Sequence, residues 1–251
     1  MGDFHPYPNP KETPIIFLYN HLKMASVSKD VTIKKYQSFV QEVYGLPDDR
    51  QFSAWDMLSN VERFLMRGLK GIRKENQEKT KFNLIISTSW LMSLLNQLHI
   101  DIEEELWQRF PYVCSYCASC PCQCKQKRPE SRKRVPIDNA KRPKTFSDFQ
   151  KMFREIYPPE TRTLEHAGIH LAEELGEVSE AILAYRSTRD DASFKNVTLE
   201  IADLISCLIG VFNSMSVDLA EELSIHFADN CHVCHKSPCA CSFDFIVNFK
   251  S

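Results

Sequence analysis

The sequence predicts an all-α protein made of two tandem helical units, each closed by a small cysteine-rich zinc knuckle. Three observations carry this. Only 7 of the 251 residues are glycine, roughly half the usual frequency, whereas doubly wound and all-β folds need many glycine turns. The strings CSYCASCPCQC (114–124) and CHVCHKSPCAC (231–241) share C-x2-C-x4-C-x-C at an offset of 117 residues. The segments ahead of them match as well: HIDIEEELWQRFPYVC from His99 with SVDLAEELSIHFADNC from Ser216, and YQSFVQEVY from Tyr36 with FQKMFREIY from Phe149. The offset is 117 residues for the first of these pairs and 113 for the second, and self-similarity at a nearly constant offset is the mark of a repeated unit.

The chain therefore divides into an N-terminal tail (1–30), a first helical unit (31–113), a knuckle (114–124), a basic linker (125–144), a second helical unit (145–230), a second knuckle (231–241) and a C-terminal tail (242–251). Each unit reads as a short helix, two long helices and a closing helix. The net charge of -2 excludes a wholly basic nucleic-acid binder. Neither G-x-G-x-x-G nor G-x-x-x-x-G-K-[ST] occurs, so the two commonest phosphate-cradling loops are excluded.

The first twelve residues are polar and proline-rich, without the basic start and apolar core of a secretory signal. His5 and Tyr7 fall in this tail. No run of about 18 apolar residues is evident, so no membrane span is expected. The ten cysteines are then expected in a reducing cytoplasm, where clustered thiols more often bind metal than pair as disulfides. Cys114, Cys117, Cys122 and Cys124, and likewise Cys231, Cys234, Cys239 and Cys241, can each wrap one tetrahedral ion. Zinc is favoured over an iron–sulfur cluster because nothing points to redox chemistry. Four thiolates leave no open position, so the role is structural. Cys120 and His235 are spare donors beside these sets, and the two sets holding separate ions or sharing ligands both remain open.

The linker, Lys125 to Lys144, carries nine basic residues and no apolar period, and reads as a solvated connection. Contact of this linker with nucleic acid is the less favoured reading. In the second unit, His170 to Ile182 (HLAEELGEVSEAI) has an amphipathic period, with Glu174 and Glu177 three residues apart on one side and Glu173 close by. The next helix, Glu200 to Met215, is apolar apart from Glu200 and Asp203, again three apart. A largely buried helix cannot leave two carboxylates uncompensated. From Arg162 to Ala228 there are 12 acidic and only 4 basic residues. A divalent cation such as Mg²⁺ or Mn²⁺, which oxygen ligands favour, is the expected counter-charge. Carboxylates from two facing helices then form a metal cage inside a bundle, a setting suited to phosphoryl transfer to water.

EELGE (Glu173 to Glu177) followed by EIAD (Glu200 to Asp203) resembles the E-E-x-x-E…E-x-x-D signature of MazG-like all-α nucleotide pyrophosphohydrolases, over roughly 146–230. The resemblance implies two tandem MazG-like helical-bundle units packed as a pseudo-dimer. It also implies Mg²⁺-dependent hydrolysis of a nucleoside triphosphate between the α- and β-phosphates. By position, Glu174, Glu177, Glu200 and Asp203 would hold the metal. Glu173, Glu174 and Glu177 form the catalytic set, Glu173 acting as ligand or base. His226 and Asn230 stand where relatives contact phosphate or metal, with Arg186, Arg189 and Lys195 as further substrate contacts. The first unit lacks the signature: Ser59, Asn60 and Arg63 align with Glu173, Glu174 and Glu177, and Asn83 and Ile86 with Glu200 and Asp203. It is a degenerate copy that supplies a partner surface in cis, and its basic stretch from Arg63 to Lys74 reads as a solvated face. A further homo-oligomer is compatible with this. The alternative is a non-catalytic zinc-binding adaptor or nucleic-acid-associated regulator on the same scaffold.

Overall fold

Why the chain breaks into these helices is visible at their first residues. The structure, a computed structural model, describes residues 25–127, 129–133 and 135–250; His5 and Tyr7 lie outside the described residues. The first half contains α1 (Ile33–Gln51), α2 (Ala54–Arg73), α3 (Gln77–Gln97) and α4 (Ile102–Arg109). The second contains α5 (Phe146–Ile156), α6 (Leu164–Thr188), α7 (Asp191–Ser214) and α8 (Leu219–His226), and α9 (Phe243–Asn248) follows. Among the described residues the secondary structure is entirely helical, so the chain is all-α. Every one of these nine helices begins on Thr, Ser, Asn or Asp, whose side chain accepts an otherwise orphaned N–H. Ser53 with Asp56, and Thr145 with Asp148, close reciprocal capping boxes.

The two halves repeat the same bonds. Gln37 is buried on α1; its Nε2 donates to the Ile100 carbonyl at 2.7 Å, and its own backbone carbonyl accepts from Asn96 at 3.1 Å. Gln150 on α5 does the same with Val217 at 2.7 Å and Asn213 at 3.1 Å. Left-handed residues recur in register: Glu75 with Arg189, His99 with Ser216, and Ala118 with His235. After α3 and α7 the left-handed residue closes the helix. There Ile100 N–H reaches the Leu95 carbonyl and Val217 N–H reaches that of Phe212, satisfying two helix-end acceptors.

Within each half the two long helices pair: α2 with α3, and α6 with α7. The halves meet through α2 against α6, and they exchange their closing helices. Helix α4 lies on α7, and α8 lies on α3. The cysteine loops cross over too: Cys122 N–H donates to Ile156 at the end of α5 (2.8 Å), and Cys239 N–H to Val43 of α1 (2.7 Å). Fully buried Trp107, Phe110, Phe149, Phe153, Phe212 and Phe227 fill the space between, each contributing roughly 1.5–3 kcal/mol of burial.

Three features differ from the sequence expectations. Residues 25–30, read as part of a tail, pack into the second half: Ala25 and Val27 are buried, and Ala25 exchanges hydrogen bonds with Asn230. The first helix is not short, because α1 runs through Pro47 to Gln51 while α5 stops before Pro158. The C-terminal tail contains α9: Arg63 donates to its Ile246 and Val247 carbonyls and Arg67 to the carbonyl of Phe249 just after it, and the Phe249 ring lies tilted against Phe64 and Phe82. Helix α7 is long and apolar enough by length and composition to cross a membrane, although Glu200 and Asp203 interrupt its apolar run. Here it is the central helix of the bundle, with Val197 and the run from Ile201 to Asn213 buried.

Candidate metal centres

Helices α6 and α7 run side by side, and their carboxylates meet where the apolar packing ends. One oxygen each of Glu174, Glu177 and Glu200 lies within 4.8 Å of the others. The i, i+3 spacing on α6 puts Glu174 and Glu177 on one face, and Glu200 faces them from α7. Two unit charges about 4 Å apart repel by about 4 kcal/mol at an effective dielectric of about 20, so protons or a cation must offset the cluster. The acidities reflect this. Burial, reinforced by Asp203 and Glu177, pushes the Glu200 carboxyl up to about 7 despite Arg109. Burial and the neighbouring Glu174 raise Glu177.

Glu174 and Glu200 are half-buried and Glu177 is exposed. Glu174 Oε1 lies 3.3 Å from His170 Nε2, and its buried Oε2 has no hydrogen-bond partner. An orphaned carboxylate oxygen beside two further carboxylates is the donor set that suits a hard divalent cation. His170 also connects through Nδ1 to Cys207 Sγ at 3.4 Å; the bonds to Cys207 and Glu174 push the imidazole up to about 10. Cys207, the one cysteine outside both cysteine-rich loops, is thus tied to the acidic site. Gly210 of α7 lets a neighbour approach closely, since an added Cβ there would sit 2.2 Å from the Arg162 guanidinium.

Asp203 is not in that group. It is buried beside it, with Arg109 Nε donating to Oδ1 at 3.0 Å and Nη2 to Oδ2. Arg132 approaches to 3.6 Å. Both oxygens are therefore engaged, and Asp203 joins a metal only if Arg109 changes partner. Glu173 is exposed on α6 and lies outside the group of three.

The expected substrate contacts are dispersed. His226 packs edge-on against Phe82 in a cleft with Lys81 and Glu222. Asn230 bonds Ala25, Asp229 and the His235 carbonyl, a role in the chain path. The Arg186 guanidinium lies over the Trp55 ring, 5.0 Å from its centroid, across the α2–α6 contact. Lys195 bonds Glu105 of α4 at 2.5 Å. Because α4 and α8 are exchanged, the residue that meets the acidic helix from a closing helix is Arg109, 117 positions before His226. The repeat register pairs these two residues, so that offset was the available signal.

The cysteines gather in two sets of four, Cys114, Cys117, Cys122 and Cys124, and Cys231, Cys234, Cys239 and Cys241. Sulfur separations are 3.8 and 3.9 Å in the first set and 3.4, 3.8 and 3.9 Å in the second. A tetrahedral ion with bonds of about 2.3 Å sets its sulfurs about 3.8 Å apart, so each set could hold a metal such as zinc. Backbone N–H groups point at the sulfurs: Tyr116 at Cys114, Gln123 at Cys117, Val233 at Cys231 and Ala240 at Cys234, all within 3.5 Å. Such bonds favour thiolate. Each set is complete on its own, without shared ligands. Cys120 is exposed outside the first set, and His235 lies 3.8 Å from Asp229.

No protein-family model, curated protein or solved structure matches the chain significantly.

Proposed function

We propose that the chain is a Mg²⁺-dependent nucleoside triphosphate pyrophosphohydrolase, built from two tandem MazG-like units packed as a pseudo-dimer with a structural zinc ion in each cysteine loop. The observation that carries this reading is the convergence of Glu174, Glu177 and Glu200 from two helices, with an orphaned oxygen on Glu174. The repeated Gln–Asn bonds and the exchanged closing helices support the pseudo-dimer. These three carboxylates would hold the divalent ion, with Asp203 joining once freed from Arg109. A bound ion supplies charge neutralisation at phosphate oxygens and a more acidic water.

The chain's own residues supply position and proton transfer. Glu173, exposed beside the site, takes the proton as the water oxygen bonds to the α-phosphorus. The bond from that phosphorus to the bridging oxygen breaks, releasing a monophosphate and pyrophosphate. The first half, with Arg63 and Ile86 at the positions of Glu177 and Asp203, is the degenerate unit that completes the interface. The ten cysteines and the reading as a nucleotide enzyme fit a cytoplasmic location.

A panel of (d)NTPs with Mg²⁺ and pyrophosphate detection tests the reading. Turnover of at least one nucleotide, abolished in Glu177→Ala with the fold retained, is expected. No hydrolysis of any nucleotide by metal-loaded protein ends it. One observation favours a second reading, the non-catalytic zinc-bearing adaptor: Asp203 is held closed by Arg109. Salt-sensitive nucleic-acid binding without turnover would favour that reading.

A further inference from the structure

Between α4, the first cysteine loop, the segment that follows it and Lys195 and Leu199 of α7 lies an open cleft of about 550 Å³. Four cationic side chains line it, Arg109, Arg132, Lys133 and Lys195, against the single carboxylate of Glu105. Asp203 marks its border with the acidic cluster, held by Arg109 and approached by Arg132. Three parts of the chain thus meet there: the closing helix of the first half, the basic linker, and the acidic helix of the second half.

We propose that this cleft seats a polyphosphate chain, with Arg109, Arg132 and Lys133 on its oxygens. The setting rests on the hydrolase reading, since the neighbouring ion belongs to it, but the binding itself needs no turnover. A multiply charged phosphate chain is repelled by a carboxylate cluster and needs a cationic wall next to the metal. The cleft is that wall: its lining includes Leu199, the residue before Glu200 on α7, and Arg109, which holds Asp203. Arg109 presents a planar fork that grips a carboxylate now and fits phosphate oxygens with the same two-bond geometry. A phosphate that takes the fork releases Asp203 towards Glu174, Glu177 and Glu200, so one exchange completes both the anion seat and the cation cage. The linker is then a binding element and not a solvated connection. The same geometry accounts for His226 and Asn230 lying elsewhere: their role passes to the other half's closing helix and to the linker.

Calorimetric titration with inorganic pyrophosphate in Mg²⁺ tests this on the full chain. Arg132 and Lys133 are exposed, so the Arg132→Ala/Lys133→Ala variant keeps its fold, which a thermal melt verifies. Wild type binds, and the double variant binds at least about tenfold more weakly. Arg109→Lys, which keeps the charge and loses the fork, is also weaker. No binding by wild type, or equal affinity in the double variant, overturns the proposal. Pyrophosphate binding that depends on Arg132 and Lys133, without hydrolysis of any nucleotide, keeps the seat and removes the hydrolase reading. Nucleotide hydrolysis with an unaltered KM in the double variant does the reverse.

Discussion

Arg109 of the first half holds Asp203 of the second side-on, through Nε and Nη2 of its guanidinium, and both side chains are nearly enclosed. Breaking such a pair strands a buried charge. Arg109→Ala is expected to destabilise the fold by about 3–5 kcal/mol, measured by chemical denaturation. Asp203→Asn in the same background recovers a large part of that loss, because the stranded charge is gone. Equal stability of the single and double variants would contradict this account.

The three converging carboxylates repel one another without a counter-ion. Replacing exposed Glu177 by Ala therefore leaves the metal-free melting temperature unchanged or higher. The same change removes the rise in melting temperature that Mg²⁺ gives to wild type and abolishes pyrophosphate release. A Mg²⁺-dependent rise that persists in Glu177→Ala would place the ion elsewhere.

Each set of four cysteines has separations suited to one ion. Elemental analysis of protein purified under reducing conditions should find about two zinc per chain. Cys231→Ser with Cys239→Ser should leave about one and lower the melting temperature, since the second loop anchors to α1 through Cys239 N–H and Val43. Neither zinc nor iron in the purified protein would rule the sites out.

Asp48 lies buried on α1, and burial raises its carboxyl to about 7; Ser93 partly offsets this and Asp49 adds to it. Its folded value is above its ordinary value of about 3.8, so the folded state favours the protonated form. The stability it contributes is complete below about pH 3.8 and is lost as pH rises towards about 7. Asp48→Asn should flatten the decline of melting temperature across this range and raise it at pH 8. An unchanged pH profile would show that Asp48 ionises without cost.

Gln150 joins α5 to Val217, Leu219 and Asn213 through one buried amide. Gln150→Ala leaves these groups unpaired and should cost about 1–3 kcal/mol for each that water cannot reach. Gln37→Ala, its counterpart in the first half, should cost a similar amount, a comparison that denaturant titrations of the two variants make directly.

Much of the fold was legible because local chemistry writes it. The capping residues start each helix, and the cysteine spacing draws each loop into a four-sulfur set. The repeat reappears in the bonds themselves, with Asn96 and Asn213 donating to the Gln37 and Gln150 carbonyls in the same way. The acidic site was legible in part: Glu174, Glu177 and Glu200 meet as their spacing predicts. Asp203 shares the helix and the spacing, but its partner comes from α4, and no periodicity on α7 could announce that. The linker's contacts, Arg132 near Asp203 and Arg142 on Glu104, were hidden for the same reason, since a run of Lys and Arg carries no sign of what it lies against.

The chain's order of residues determined the helices, their apolar faces, the paired cysteine loops and the carboxylates that share one side of α6 and α7. These follow from interactions within a few turns, where spacing is geometry. Tertiary packing alone decided that the halves exchange α4 and α8, that α9 lies on α2, and that Arg109 instead of His226 stands beside the acidic helix. Those choices depend on which apolar surfaces fit one another across distances the local pattern does not encode.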